Sequence, residues 1–126
     1  MNTDQDMPLI ARGKVMLSFF ADILHDLSFN LPSGVFQASE GRLHLRLTDR
    51  HSHFRDEPAA MVFDLTVCNV TSIQVEGRPE DDPGEDMFND FEFDGKAGVL
   101  TLKCCLAIKR IKCSVQRLHI ELDQVI

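Results

Sequence analysis

The chain has 126 residues, of which 44% are hydrophobic and 26% are charged, and its formal net charge is −7. This length fits one ordinary domain, so we predict a flexible tail over residues 1–7 and a single globular domain over residues 8–126. The acidic balance argues against nucleic acid as a partner, because neutralising phosphates requires Lys and Arg, and it also disfavours anionic membranes. No apolar run is long enough to span a membrane, and the N-terminal residues lack the basic and apolar start of a secretory signal. We therefore expect a cytoplasmic protein.

Cysteine usage agrees with that compartment. None of the four cysteines lies in a CxxC spacing, and we expect free thiols that pack as small hydrophobes. They are Cys68, Cys104, Cys105 and Cys113. The sequence contains neither a GxSxG motif nor a Gly-rich phosphate loop. We expect no cofactor, and the sequence favours a non-catalytic function over an enzymatic one without deciding between them.

The first predicted element is a helix over residues 14–26. An apolar stripe repeats there with a period of 3.6, and Ser18, Asp22 and Asp26 lie opposite it. The stripe consists of Val15, Met16, Phe19, Phe20, Ile23, Leu24 and Leu27. From Leu27 the period changes to two, which indicates that the helix runs into a strand, although the whole stretch could instead be extended.

Strands are predicted next, wherever apolar and polar residues alternate. Leu43, Leu45 and Leu47 alternate with polar residues, and the pattern returns over residues 61–67. Asn69 interrupts the alternation, which resumes at Val70. Further along, the apolar parity slips at residues 109–110 and again before residue 118, and such slips indicate bulges or turns.

Residues 88–108 predict a hairpin around a four-residue loop, Gly95 to Gly98, which is a common hairpin length. The resulting register makes chemically sensible cross-strand pairs on both faces. The pairs are Phe93 with Leu100, Phe91 with Leu102, Glu92 with Thr101, and Asp90 with Lys103. A two-residue turn at Gly95 and Lys96 would place Asn89 opposite Leu102, which is a poorer pair.

The balance of elements predicts a mainly β fold, bordering on α+β. The strands outnumber the one helix by about seven to one and follow one another at short spacing. We expect an antiparallel sandwich or a partly open barrel, with one short N-terminal helix packed on it.

An acidic segment is the first candidate binding site. From Glu76 to Asp94 there are nine acids and one base, a net charge of −8, whereas Lys96 to Asp123 has six bases and two acids, a net charge of +4. We predict that the segment forms a docking surface for a basic partner, and a solvated loop is the alternative. Its candidate binding residues are Glu80, Asp81, Asp82, Glu85 and Asp86.

A loop with two histidines is the candidate metal site. In an extended strand, His51 and His53 point to the same side, and Asp49 shares that parity. Such a trio can hold zinc, although a solvated loop is the plainer interpretation. The doublet His25 and Asp26 is interpreted as a hydrogen-bonded helix–strand junction rather than part of a metal site.

The layout of the chain resembles that of small β-rich bacterial proteins, including immunity proteins of polymorphic toxin systems. The resemblance rests on the His25–Asp26 doublet that leads into a strand, on the later alternating segments, and on the alternating strand toward Leu122. It implies a non-catalytic binding protein and assigns no role to any residue.

Three functions follow as hypotheses. The leading one is a protein-binding module that associates stoichiometrically with a protein partner through the acidic surface, which favours a basic partner. The alternative is a metal-binding protein or metal-dependent enzyme that uses His51 and His53. The third is a homodimer or larger homo-oligomer assembled through an exposed strand edge, for which the C-terminal strand is the candidate because it carries few charges.

Overall fold

The computed structural model describes residues 8–30, 36–37, 41–49, 61–77, 85–105 and 110–125. Over these ranges the chain forms one helix and ten strands. The helix is α1 (Lys14–Leu24), and the strands are β1 (Leu9–Ala11), β2 (Ser28–Asn30), β3 (Phe36–Gln37), β4 (Arg42–Thr48), β5 (Val62–Val67), β6 (Val70–Glu76), β7 (Glu85–Asp94), β8 (Val99–Cys104), β9 (Arg110–Val115) and β10 (Ile120–Gln124).

All strands belong to one antiparallel sheet. Its order is β1-β10-β5-β4-β2-β7-β8-β9-β6, with β3 paired to β4 beside this path. The sheet does not close on itself, and the single helix packs against β7 and β1. The predicted mainly β, antiparallel fold with one N-terminal helix is therefore confirmed.

Two short links bend the sheet. β5 leads into β6 through Cys68 and Asn69 alone, and residues 116–119 connect β9 to β10. Because β5 pairs with β10 and β6 pairs with β9, the two pairs are halves of one long ribbon that bends at these links. Asn69 has a φ of 58°, a left-handed conformation that Asn adopts more readily than most residues. This explains why the alternation breaks at Asn69.

One hydrophobic core lies inside the bend. It takes inward side chains from both ends of the strand order and from α1, and in β4, β5, β8, β9 and β10 these are every second residue. Leu43, Leu45 and Leu47 are all buried, as the alternation predicts. The most completely buried large side chains are Phe20, Phe88, Leu24, Leu43, Leu47, Leu65, Leu100, Leu102, Ile111, Ile120 and Val67.

The β7–β8 hairpin has the register that the sequence predicts. All four predicted cross-strand pairs are present: Phe93 with Leu100, Phe91 with Leu102, Glu92 with Thr101, and Asp90 with Lys103. The turn is held by the side chain of Asp94, whose Oδ1 accepts hydrogen bonds from the backbone N–H of Lys96 (3.0 Å) and Ala97 (3.1 Å). An aspartate that binds backbone two or three residues ahead stabilises a four-residue turn.

The helix differs from the prediction in its end and in its buried face. It ends at Leu24 and buries Leu17, Phe20, Ala21 and Leu24, which are spaced i, i+3, i+4 and i+7. Two members of the predicted stripe face solvent instead: Val15 is 84% exposed and Phe19 is 48% exposed. The prediction that Val15 and Phe19 belong to the buried face of the helix was therefore wrong. One helix face covers an arc of only about 100° against a sheet, which is narrower than the seven-residue stripe.

His25 and Asp26 form the junction between α1 and the sheet. His25 Nδ1 donates a hydrogen bond to the carbonyl of Asn89 (3.0 Å), and Asp26 takes a left-handed φ of 67°. The backbone N–H of Asp26 then binds the carbonyl of Phe88 (3.0 Å). The interpretation of the doublet as a hydrogen-bonded junction is confirmed.

The outer strands of the sheet are β1 and β6. Each pairs with a single strand within the described part of the chain. The C-terminal strand β10 lies between β1 and β5, so the expectation that it forms an exposed edge was wrong. Among the described residues, no helix has the combination of length and apolar character that crossing a membrane requires.

Candidate functional site: an arginine-lined cleft

Most of the sequence-predicted site residues lie outside the described ranges. These are His51 and His53 of the metal hypothesis and Glu80, Asp81 and Asp82 of the acidic segment. Both hypotheses about these side chains therefore stay predictions.

The remaining three predicted residues lie in or beside strands. Asp49 follows β4, and its backbone N–H binds the carbonyl of Met61 (3.2 Å). Glu85 begins β7. Asp86 is only 1% exposed, and its Oδ1 accepts a hydrogen bond from the backbone of Met87 (2.8 Å). Asp86 thus does not belong to an exposed acidic surface as predicted, because it pairs with the buried Phe29 of β2 and shares that face of the sheet.

The sheet register assembles a different site at the bend. Leu43, Val67, Ile120 and Ala11 lie side by side across β4, β5, β10 and β1, and all four are buried. Since neighbouring residues on a strand point to opposite faces, the adjacent row faces outward. That row consists of Arg42, Cys68, His119 and Arg12.

These residues line a cleft of about 560 Å³, which we call the arginine cleft. Its wall also contains residues from the bending links and one from β10. The complete lining is Arg12, Arg42, Cys68, Asn69, Arg117, Leu118, His119 and Glu121. The cleft therefore brings three guanidinium groups and one carboxylate together on the surface of an acidic protein.

A chain of hydrogen bonds holds the centre of the cleft. Arg12 Nε donates to His119 Nδ1 (3.3 Å), and His119 Nε2 lies 3.0 Å from Glu121 Oε2. Because the Arg12 group is only a donor, Nδ1 must accept and Nε2 carries the ring proton toward Glu121. The contacts thus select one tautomer of His119 and fix the position of Arg12.

The other two arginines have no such partner. No hydrogen bond or ion pair of the Arg42 or Arg117 side chain is found within the described ranges, and both side chains are exposed. By contrast, Arg46 on the same sheet face forms a bidentate ion pair with Asp64 at 2.8 and 2.9 Å. Within the described part of the chain, these two guanidinium groups thus have no partner that a ligand would have to displace.

A metal ion is the first ligand to consider. Cys68, His119 and Glu121 each offer a ligand atom, and these atoms lie within 4.8 Å of one another. Sulfur, nitrogen and oxygen ligands suit zinc. However, coordination through His119 Nε2 would move the ring proton to Nδ1, where it would face the Arg12 N–H, and coordination through Nδ1 would displace Arg12. The three guanidinium groups also repel a dication, so the trio fits a metal ion poorly.

Covalent catalysis by Cys68 is the second chemistry to consider. Burial raises the pKa of the Cys68 thiol, and Glu121 raises it further, while Arg42 partly opposes the shift. Both nitrogens of His119 are already engaged with Arg12 and Glu121. A nucleophilic cysteine needs a lowered pKa or a free base, and Cys68 has neither.

We expect Cys68 to react slowly with iodoacetamide at pH 7 and faster as the pH rises, because the thiolate is the reactive form. In a Cys105→Ser variant, which removes the exposed cysteine, mass spectrometry should find Cys68 alkylated before Cys113. The Cys113 thiol has its pKa raised to about 12 by burial. Rapid alkylation of Cys68 at pH 6 would instead show an activated thiol.

Sequence reasoning missed this site although one signal was present. His119 and Glu121 alternate with the buried Leu118, Ile120 and Leu122, so they share the outer face of one strand. The arginines come from residues far apart in sequence, and only the sheet register places them next to His119.

Comparisons of the chain with models of known families, with curated proteins and with solved structures found no match. Many folds host unrelated functions, so function must be inferred from the side chains and surfaces described above.

Proposed function

We propose that this chain is a non-catalytic protein-binding module that acts by stoichiometric association with another protein. The observation that carries the proposal is the exposed apolar surface of the β1–α1 unit. Of the seven exposed large hydrophobic residues in the described ranges, four lie within this unit: Leu9, Ile10, Val15 and Phe19. We call Val15 and Phe19, which share the outward face of α1, the apolar patch.

The outward face of α1 supports this role. At 100° per residue, Val15 and Phe19 lie on the side of the helix opposite the buried row of Leu17, Phe20 and Leu24. Burying a Val or Phe side chain in an interface contributes roughly 1.5–3 kcal/mol. Aromatic residues are also enriched at the centres of protein interfaces.

Acidic side chains near the helix indicate the charge of the partner. Asp22 lies on the outward face of α1, and Asp90, Glu92 and Lys14 line a groove of about 370 Å³ between α1 and β7. Glu92 is paired with Lys103 (3.3 Å), so the net negative charge of this rim comes from Asp22 and Asp90. An apolar contact with an acidic rim complements an apolar surface surrounded by basic residues. This keeps a basic protein as the proposed partner, although the acids differ from those that the sequence suggested.

The resemblance to immunity proteins gives this proposal a specific form. An immunity protein neutralises a toxin by binding it one to one, and a basic toxin surface would fit the acidic rim. Neutralisation would then require the same helix face as binding.

The experiment compares variants of the apolar patch. The tagged chain is purified at low salt from the organism that expresses it, and its partner is then produced separately and titrated by calorimetry. We expect one-to-one binding that weakens at least about 30-fold in the Val15→Ser/Phe19→Ser variant, as interface anchors commonly contribute 2 kcal/mol or more.

Val125→Ser provides a matched control, because Val125 is about as exposed as Phe19 but lies after β10. It should leave the affinity unchanged. Equal weakening by both variants, or a chain that stays alone under these conditions, would contradict the proposal. A concentration-dependent dimer in light scattering that the double variant abolishes would assign the patch to self-association instead.

A further inference from the structure

The arginine cleft is a second surface, and none of its lining residues belongs to the apolar patch. We propose that it binds a small molecule that carries a dianionic phosphate group. This site does not depend on the proposed protein partner.

The local charge supports a dianion. Three guanidinium groups and one carboxylate give the cleft a net charge of +2, within a chain whose net charge is −7. A phosphate monoester carries a charge of about −1.5 to −2 at neutral pH. The ligand would therefore neutralise a local excess of positive charge that no described acid offsets.

The donors of the cleft are also of the kind that binds phosphate. Guanidinium groups bind phosphate oxygens through paired N–H donors, and these charge-assisted hydrogen bonds are about twice as strong as neutral ones. Arg42 and Arg117 have no side-chain partner among the described residues. Arg12 uses its Nε on His119 and is thereby oriented, and its terminal nitrogens have no partner among the described residues.

Two further features limit the class of ligand. A volume of about 560 Å³ falls within the range typical of small-molecule sites. Glu121 binds His119 through Oε2, and its second oxygen has no partner among the described residues, so it can accept a hydrogen bond from a hydroxyl group. A phosphorylated sugar or polyol satisfies both the arginines and this acceptor.

The test is calorimetric titration of the full chain with glucose 6-phosphate, glucose, inorganic phosphate and succinate. We expect glucose 6-phosphate to bind best, inorganic phosphate to bind more weakly, and glucose not to bind. The Arg42→Ala/Arg117→Ala variant should lose at least about tenfold in affinity, because it removes the charge-assisted hydrogen bonds that two of the three guanidinium groups would donate to the phosphate.

The Arg110→Ala variant is the control, since Arg110 is an exposed arginine on β9 that lies 4.0 Å from Glu76. It should bind as the unchanged chain does, and Arg42→Lys/Arg117→Lys should lose part of the affinity because it keeps the charge but not the paired donors. Succinate binding as tightly as the phosphates, no loss of affinity in the alanine variant, or zinc binding that His119→Ala removes would each overturn the proposal. Failure of V15S/F19S to bind a protein partner would leave this titration unaffected, so the two proposals are tested separately.

Discussion

Replacing Phe88 by Ala is expected to lower the free energy of unfolding by roughly 3–5 kcal/mol. Phe88 is 0% exposed, and its ring centroid lies 4.7 Å from that of Phe91. Its backbone also ties the helix junction to β7, through the N–H to the carbonyl of Leu27 (2.9 Å). Truncation leaves a cavity where α1, β2 and β7 meet. Urea denaturation followed by circular dichroism measures the change.

Phe19→Ala is the matched control, because it removes the same atoms from a helix face that is open to solvent. We expect a change below about 1 kcal/mol, as is usual for exposed positions. Similar losses for the two variants would mean that Phe88 does not lie in the core or that α1 packs through its other face.

Replacing Gly98 by Ala is expected to lower the free energy of unfolding by roughly 1–3 kcal/mol. Gly98 has a φ of +67°, and an added Cβ would lie 3.0 Å from the backbone carbonyl oxygen of Val115. That carbonyl cannot move away easily, because the Val115 N–H binds the Gly98 carbonyl at 2.8 Å. Thermal unfolding of the variant checks the prediction.

Gly95→Ala tests whether the effect is specific to position 98. Both glycines belong to the same hairpin loop, but a Cβ at Gly95 would meet only the Phe93 ring, at an ordinary 3.6 Å. We expect a change of no more than about 0.5 kcal/mol in either direction. If Gly95→Ala destabilised the protein as much as Gly98→Ala, the cause would be general loop flexibility rather than the left-handed backbone.

The sequence predicted structure best where the determining interactions are between residues close together in the chain. The hairpin register follows from one loop and from the chemistry of opposing residues, so Phe91 and Leu102 could be paired before the fold was known. The helix was predicted less well: its period was evident, but which arc of it meets the sheet depends on where β7 and β1 lie. For that reason Val15 and Phe19 were wrongly assigned to the core.

The candidate sites show the same difference between what local sequence predicts and what the tertiary structure decides. The sequence drew attention to adjacent residues of one kind, such as the acids around Asp86 and the pair of histidines at 51 and 53. The arginine cleft combines Arg12, Arg42 and Arg117, which lie on distant parts of the chain. No local pattern relates them.

By itself, the sequence determined that this protein is an acidic, mainly β domain with one N-terminal helix and a β7–β8 hairpin of defined register. Alternation and turn residues act over a few neighbouring positions, so these features can be predicted directly from the sequence. Only the tertiary structure decided that β10 lies inside the sheet, that Asp86 is buried, and that Arg12, Cys68 and His119 face one cleft. Those outcomes depend on strand order and on the bend at Asn69, which set distances between residues that share no local interaction.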